Sequence, residues 1–262
     1  MFFILFFIAF AVLYSCLFSL IPVSPWFLFL WIPLGILLSL LTLVLFALIF
    51  LWIGSKTKPN QRFKHFILRN ACWLSLRFLH IRLDIQGKEH IPAGTFVVYA
   101  NHKSNMDPVM IYYAMHRMCS AVGKKSLFTH PIMQLVGKTY DAVPIDRDND
   151  REAVKSIVSA IKKVKAGLPM IIFPEGGIKS RETDEMVSLR AGAYKLAVKS
   201  EAPILPVSIV GSSKVKTKKR RENITIKIIF HQPIPKEEYQ NLNTTELGLK
   251  VEDIINAGVK NA

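Results

Sequence analysis

TFVVYANHKSNMDPVMIYYAMH, residues 95–116, passes from an apolar run through a polar stretch into a helical pattern. Thr95 to Ala100 reads as a buried strand, and Asp107 to His116 as a helix. The connection is short, so the strand delivers His102 to a loop from which Asp107, where the helix begins, can reach back to the imidazole. A carboxylate against one ring nitrogen fixes the tautomer and stabilises the imidazolium, leaving the other nitrogen free to take a proton from a hydroxyl. Asp107 followed by Pro108 also fits an ordinary helix N-cap with proline at the first helical position. The two roles are compatible, because one carboxylate oxygen can cap while the other faces the ring.

The same rhythm continues outward from this stretch. Tyr140 to Ile145 reads as a strand, and Arg151 to Lys165 as a helix with apolar positions at Val154, Ile157, Val158, Ile161 and Val164. Leu168 to Phe173 is again a strand, Leu189 to Lys199 a helix, Pro203 to Val210 and Ile224 to Phe230 strands, and Thr244 to Asn256 a closing helix. Strands alternating with helices predict an α/β domain over residues 84–262.

Upstream the composition changes sharply. The chain of 262 residues is 51% apolar and carries a net charge of +15, yet its first charged side chain is Lys56. Residues 1–21 and 26–54 are apolar runs separated by Pro22, Ser24 and Pro25, each long enough to cross a hydrocarbon core of about 30 Å. Trp31 and Trp52 would place an indole near each interface. Residues 1–55 therefore read as a membrane hairpin, either two full spans or a re-entrant loop, and a fully soluble protein is excluded. Lys56, Lys58, Arg62 and Lys64 follow the second run and predict that the charged part stays on the cytoplasmic face of the cell membrane. Residues 56–83 mix Arg62, Lys64, His65, Arg69, Arg77 and Arg82 with Phe63, Phe66, Ile67, Trp73, Leu76 and Phe78. That mixture predicts a basic interfacial helix, or an amphipathic helix packed on the domain. The lysine-rich stretch 214–221 is a solvated or lipid-facing loop in preference to a nucleic-acid patch.

Other strand ends carry polar residues that packing does not require, and in α/β folds sites gather at such ends. Phe173-Pro174-Glu175-Gly176-Gly177 places an acid and two glycines after a hydrophobic run, where exposed backbone amides can hold a phosphate or a polarised carbonyl oxygen. Ile145-Asp146-Arg147 sets a guanidinium at a strand terminus, suited to a phosphate or to a surface acid.

Together these residues carry a resemblance. His102 and Asp107 in NHKSNMDP resemble the H-x4-D signature of the glycerolipid acyltransferase superfamily, and Phe173 to Gly177 its F-P-E-G motif, in the same order and spacing. Residues 121–127, 143–147, 190–197 and 204–209 are similar to further segments of that family, over about residues 80–212. The resemblance implies an α/β acyltransferase-like domain with a mixed sheet, most like bacterial 1-acyl-sn-glycerol-3-phosphate acyltransferases. It implies His102 as general base on the acceptor hydroxyl, Asp107 as its partner, and direct attack on an acyl thioester without an acyl-enzyme. Glu175 and Gly176 would bind the glycerol phosphate, Arg147 with Lys125 its phosphate, and Pro206 would shape the acyl or thioester side. The implied partners are acyl-CoA or acyl-ACP as donor, lysophosphatidic acid as acceptor and membrane phospholipid. The family continues Thr-Arg-Ser after F-P-E-G, whereas this chain has Gly177, Ile178, Lys179, Ser180 and Arg181, so the arginine expected at 178 is missing. Another lysophospholipid acceptor, or a catalytically silent lipid-binding module, is the alternative.

Other chemistries find little support. Gly123-Lys124 lacks the upstream glycine of a phosphate-binding P-loop, and neither H-E-x-x-H nor G-x-S-x-G occurs. Cys16, Cys72 and Cys119 form no C-x-x-C pair, so no structural zinc or disulfide framework is expected. No metal ion or nucleotide cofactor is expected either.

Overall fold

The computed structural model describes residues 2–20, 28–58 and 62–262, and the chain divides into two units, Met1–Lys58 and Pro59–Ala262. The Pro22/Pro25 break lies outside the described residues, as does the Trp31 side chain. In the first unit α1 (Phe2–Ser19) and α2 (Leu28–Gly54) are apolar on every side. They pack as an antiparallel pair: Phe6 and Phe10 meet Phe46 with ring centroids 5.8 Å apart, and the Tyr14 and Thr42 hydroxyls are 2.8 Å apart. Ile32–Gly54 within α2 is long and apolar enough to cross a bilayer. The apolar stretch Ile4–Ser19 of α1 is shorter. This is a membrane-associating segment, because nothing in it could hold its aliphatic surface in water.

The second unit begins with α3 (Arg62–Phe78), whose two faces differ. Lys64, Cys72 and Leu76 are buried, the Lys64 ammonium donates to the Thr139 carbonyl at 2.9 Å, and His65 Nδ1 lies 2.8 Å from the Tyr112 hydroxyl. Phe63, Phe66, Leu74 and Phe78 are exposed. The helix ends at Phe78, and the chain enters β1 (Ile81–Gln86) sooner than the sequence suggests.

A seven-stranded sheet follows in the order β1-β7-β6-β2-β5-β3-β4. Its strands after β1 are β2 (Val97–Ala100), β3 (Ser120–Lys124), β4 (Val143–Ile145), β5 (Met170–Ile172), β6 (Ile204–Val210) and β7 (Ile224–Phe230). All neighbours run parallel except β6 and β7, which makes the sheet mixed. The connecting helices are α4 (Asp107–Met115), α5 (Pro131–Tyr140), α6 (Asp150–Lys165), α7 (Lys195–Ser200) and α8 (Thr244–Lys260). Val97 and Tyr99 of β2 join one core with Ile157 and Val164 of α6, Leu196 of α7 and Leu247 and Val251 of α8. By the period of two, Phe96 and Val98 point to the opposite face of the sheet, and both are fully buried. A strand buried on both faces needs a continuous apolar run, which TFVVYA supplies. Because β2, β5, β3 and β4 are parallel neighbours, their carboxyl ends share one edge, and every polar strand end singled out in the sequence reaches it.

Candidate active site

At the end of β2, Asn101 anchors the loop. Its amide nitrogen donates to the Ile209 carbonyl at 2.7 Å and to the Asp184 carbonyl at 2.6 Å, while its oxygen accepts from the Ile209 amide at 2.8 Å. His102 follows, with its ring stacked on Phe173 at a centroid distance of 4.2 Å. Its Nδ1 lies 2.9 Å from Asp107 Oδ2, and that oxygen also accepts from the amides of Lys103 at 2.7 Å and Ser104 at 2.8 Å. A carboxylate so placed accepts from Nδ1–H, which leaves Nε2 as the ring nitrogen with a lone pair and no partner among the described residues.

Asp107 does not cap the helix as the Asp-Pro pair suggested. The N-cap position belongs to Met106, the carboxylate's hydrogen bonds among the described residues fall on Oδ2, and the buried Oδ1 has no partner among them. The physical reason is local: the loop turns its own amides onto Oδ2 before the helix starts, so the carboxylate organises the loop and the ring together.

Glu175 is fully buried. Its Oε1 accepts from the His102 amide at 2.7 Å and its Oε2 from the Lys103 ammonium at 3.0 Å, with the Val187 amide at 3.4 Å from Oε2. A turn closes behind it, with the Gly176 amide donating to the Phe173 carbonyl at 3.2 Å. Gly176 has φ +71° and Gly177 φ +146°, values that side-chain-bearing residues resist. The carboxylate thereby faces inward beneath His102, and the glycine backbone faces the cavity.

That cavity, of about 810 Å³, is lined by His102, Asn105, Gly176 and Gly177 together with Lys124, Arg147, Lys179 and Arg190. Asp148 is its only carboxylate among the described residues. Away from these charges the lining becomes apolar, through Val122, Phe128, Met133 and Val136 to Leu68 and Cys72 of α3. Burial pushes the Cys72 thiol up to about 12 and the Cys119 thiol up as well, so both stay protonated and behave as small apolar groups. Arg147 is pressed below its ordinary value, first by burial and then by the charge of Arg190 beside it.

Of the residues anticipated for this site, His102, Asp107, Glu175, Gly176 and Arg147 come together. Lys125 does not: it begins the turn after β3, is exposed, and pairs with Asp146 at 3.3 Å. Lys124, one residue earlier, reaches the cavity instead. Pro206 is buried within β6 opposite Tyr99 and lies outside the lining of this cavity. Lys103 and Arg190 were not anticipated as site residues. Lys103 has the signal of lying within the loop itself, whereas nothing in the sequence brings Arg190 to Arg147. Of the two cations near the missing arginine, Lys179 reaches the cavity, while Arg181 donates from Nε to the Lys103 carbonyl at 3.0 Å.

Known proteins agree with this architecture. A family model described as Acyltransferase matches residues 82–210. The chain is 30% identical over 212 residues to the probable 1-acyl-sn-glycerol-3-phosphate acyltransferase of Mycoplasma genitalium, covering 75% of this chain and 77% of that protein. It is 28% identical over 189 residues to the 1-acyl-sn-glycerol-3-phosphate acyltransferase of Borreliella burgdorferi, covering 70% and 75%. The crystal structure of the 1-acyl-sn-glycerophosphate acyltransferase of Thermotoga maritima superposes with a TM-score of 0.68 at 24% identity, covering 82% of this chain and 88% of that one, and shows the same fold. With its mixed sheet, its matched segment and a relative at this identity over three quarters of both chains, this protein belongs to the glycerolipid acyltransferase superfamily and is an acyltransferase.

Proposed function

We propose that the chain transfers a fatty acyl group from an acyl thioester to the sn-2 hydroxyl of lysophosphatidic acid, forming phosphatidic acid. The observation that carries this reading is the His102–Asp107 pair at 2.9 Å, opening on a cavity whose rim is cationic and whose interior is apolar. The relatives named above are 1-acyl-sn-glycerol-3-phosphate acyltransferases, in keeping with that chemistry.

The steps follow from the atoms available. His102 Nε2 takes the proton of the acceptor hydroxyl as its oxygen attacks the thioester carbonyl, and Asp107 stabilises the imidazolium. The new C–O bond forms, the C–S bond breaks, and the leaving thiolate regains the proton from the imidazolium. No covalent acyl-enzyme is needed, since His102 acts on the acceptor directly. Arg147, Lys124 and Lys179 draw the acceptor phosphate to the rim, and the turn at Gly176 brings backbone close to the glycerol. Glu175 has its oxygens committed to His102, Lys103 and Val187, so its part is to hold the His102 loop in place. Lys125 steadies Asp146 next to Arg147, and Pro206 supports the sheet. The apolar interior takes the fatty chain, and the donor is a phosphopantetheine thioester, either acyl-CoA or acyl carrier protein.

The membrane supplies the acceptor. Lys56, Lys58 and Arg62 favour the cytoplasmic side for the catalytic domain, and the exposed Phe63, Phe66, Leu74 and Phe78 of α3 suit the acyl boundary of that leaflet. Lys64, His65 and Arg69 take no part in that contact, since the first two bond to the domain and Arg69 lies over the Tyr113 ring.

The test is product analysis with purified full-length protein in detergent, offering lysophosphatidate and lysophosphatidylglycerol with each donor. Phosphatidate as the main product supports the reading. Product from lysophosphatidylglycerol alone would move the acceptor to that lipid, and no product with any pair would overturn the reading.

A further inference from the structure

The segment after Glu175 lacks a cation at position 178, where Ile178 lines the cavity. The other side of the same turn is occupied by a guanidinium. Arg190 lies against Gly176 so closely that a Cβ added there would meet its Cδ at 2.6 Å. A Cβ on Gly177 would meet Arg147 Nη1 at 2.9 Å. The two glycines therefore form a floor without side chains, with one guanidinium against each. Arg190 is fixed from both ends: its amide donates to the Pro174 carbonyl at 2.9 Å, and its Nη1 donates to the Arg147 carbonyl at 3.2 Å.

Two like charges held side by side call for an anion. Neither guanidinium forms an ion pair with an acid among the described residues, where seven Lys–carboxylate pairs lie elsewhere. Asp148, the acid beside Arg147, offsets only part of one charge. Both guanidiniums line the cavity that holds His102. The glycine backbone between them leaves both side chains facing that cavity, so an anion entering it meets both charges.

We infer that Arg147 and Arg190 form a two-guanidinium clamp over the Gly176–Gly177 floor that selects an acceptor bearing a phosphomonoester dianion, Arg190 doing from position 190 what an arginine at 178 would do. The inference deepens the acyl-transfer reading above and rests on it for the identity of the lipid. A phosphomonoester carries close to two negative charges at neutral pH and offers three terminal oxygens, enough for two forked donors. A phosphodiester headgroup carries one charge and two free oxygens, so it balances only one of the two guanidiniums. The clamp thus favours lysophosphatidate over lysophosphatidylglycerol, against the expectation raised by Ile178.

The experiment uses the purified full chain in detergent. It measures kcat and KM for lysophosphatidate and lysophosphatidylglycerol, and equilibrium binding of each lipid without donor. Arg190→Ala is expected to raise KM and Kd for lysophosphatidate about tenfold or more, with the loss falling on binding before turnover, and to change lysophosphatidylglycerol by no more than about twofold. Arg190→Gln keeps the stem that packs on Gly176 and is the variant to read if Arg190→Ala fails to fold. Arg190→Lys should recover part of the preference, and Ile178→Arg added to Arg190→Ala should recover more. Equal losses for both lipids would mark a structural role and overturn the clamp, as would unchanged lysophosphatidate binding in a folded variant. Arg190-dependent lysophosphatidate binding with no product from the wild type would keep the clamp and refute the acyl-transfer reading. Phosphatidate formation with an unchanged KM in Arg190→Ala would do the reverse.

Discussion

The helix pair of residues 2–54 and the loop of residues 101–107 are built on opposite rules. In the helices the hydroxyls of Ser15 and Ser39 bond back to Ala11 and Gly35 of their own helix, and the aliphatic side chains face outward without distinction. In the loop the polar groups take specific partners: Asn101 takes Ile209 and Asp184 and the His102 amide takes Glu175 from distant segments, while the ring takes Asp107 within the loop. The first region needs only to be apolar for long enough. The second fails if one atom is wrong, because buried polar groups that lose a partner are costly.

Asp107→Asn challenges this contrast most strongly. The amide oxygen would stay where the Lys103 and Ser104 amides donate and still accept from Nδ1–H, but the side chain would bring no negative charge to stabilise the imidazolium. Turnover is expected to fall about 10²–10⁴-fold while the protein stays folded, measured by steady-state acyl transfer alongside thermal melting. Near-normal turnover would show that the loop is less exacting than its geometry.

Lys103→Met tests the support beneath the histidine. Lys103 and Glu175 are both fully buried and 3.0 Å apart. Removing the ammonium leaves a buried carboxylate with only amide donors, at a cost of about 3–5 kcal/mol, measured by denaturant unfolding. A loss below about 1 kcal/mol would place the pair in effective contact with solvent. Arg147→Ala should act next in size, raising the acceptor KM about tenfold or more and touching kcat less, since it binds phosphate and moves no proton.

Tyr14→Phe sits at the other end of the scale. It removes the 2.8 Å hydroxyl contact to Thr42 across the helix pair, is expected to cost about 1 kcal/mol of helix association or less, and should leave kcat unchanged. A large loss of activity would break the distinction between the two regions.

The contrast also explains what was legible in the sequence. Composition alone marked residues 1–55. Runs buried on both faces, such as residues 95–100 and 203–210, announced β2 and β6, and the 3.6-residue pattern announced α6 almost to the residue. β1 and β3 were missed because IRLDIQ alternates polar with apolar positions and SAVGK holds a glycine and a lysine, neither of which makes a continuous apolar run. The Lys124/Lys125 exchange is a matter of one residue: Lys124 closes β3 at the cavity, and the next residue has already entered the turn that carries Lys125 to Asp146. Glu175 is oriented by a backbone turn whose direction two glycines permit without specifying. Arg190 reaches Arg147 across 43 positions, an adjacency made by sheet order, which local pattern cannot encode.

The central claim is that His102 is the base. It is tested most directly by the single-turnover rate of acyl transfer to lysophosphatidate, comparing wild type with His102→Ala at saturating donor and with matched unfolding curves. The account predicts a rate lower by about 10²–10⁴-fold in a variant that still folds and still binds lysophosphatidate. A rate near that of the wild type would contradict it.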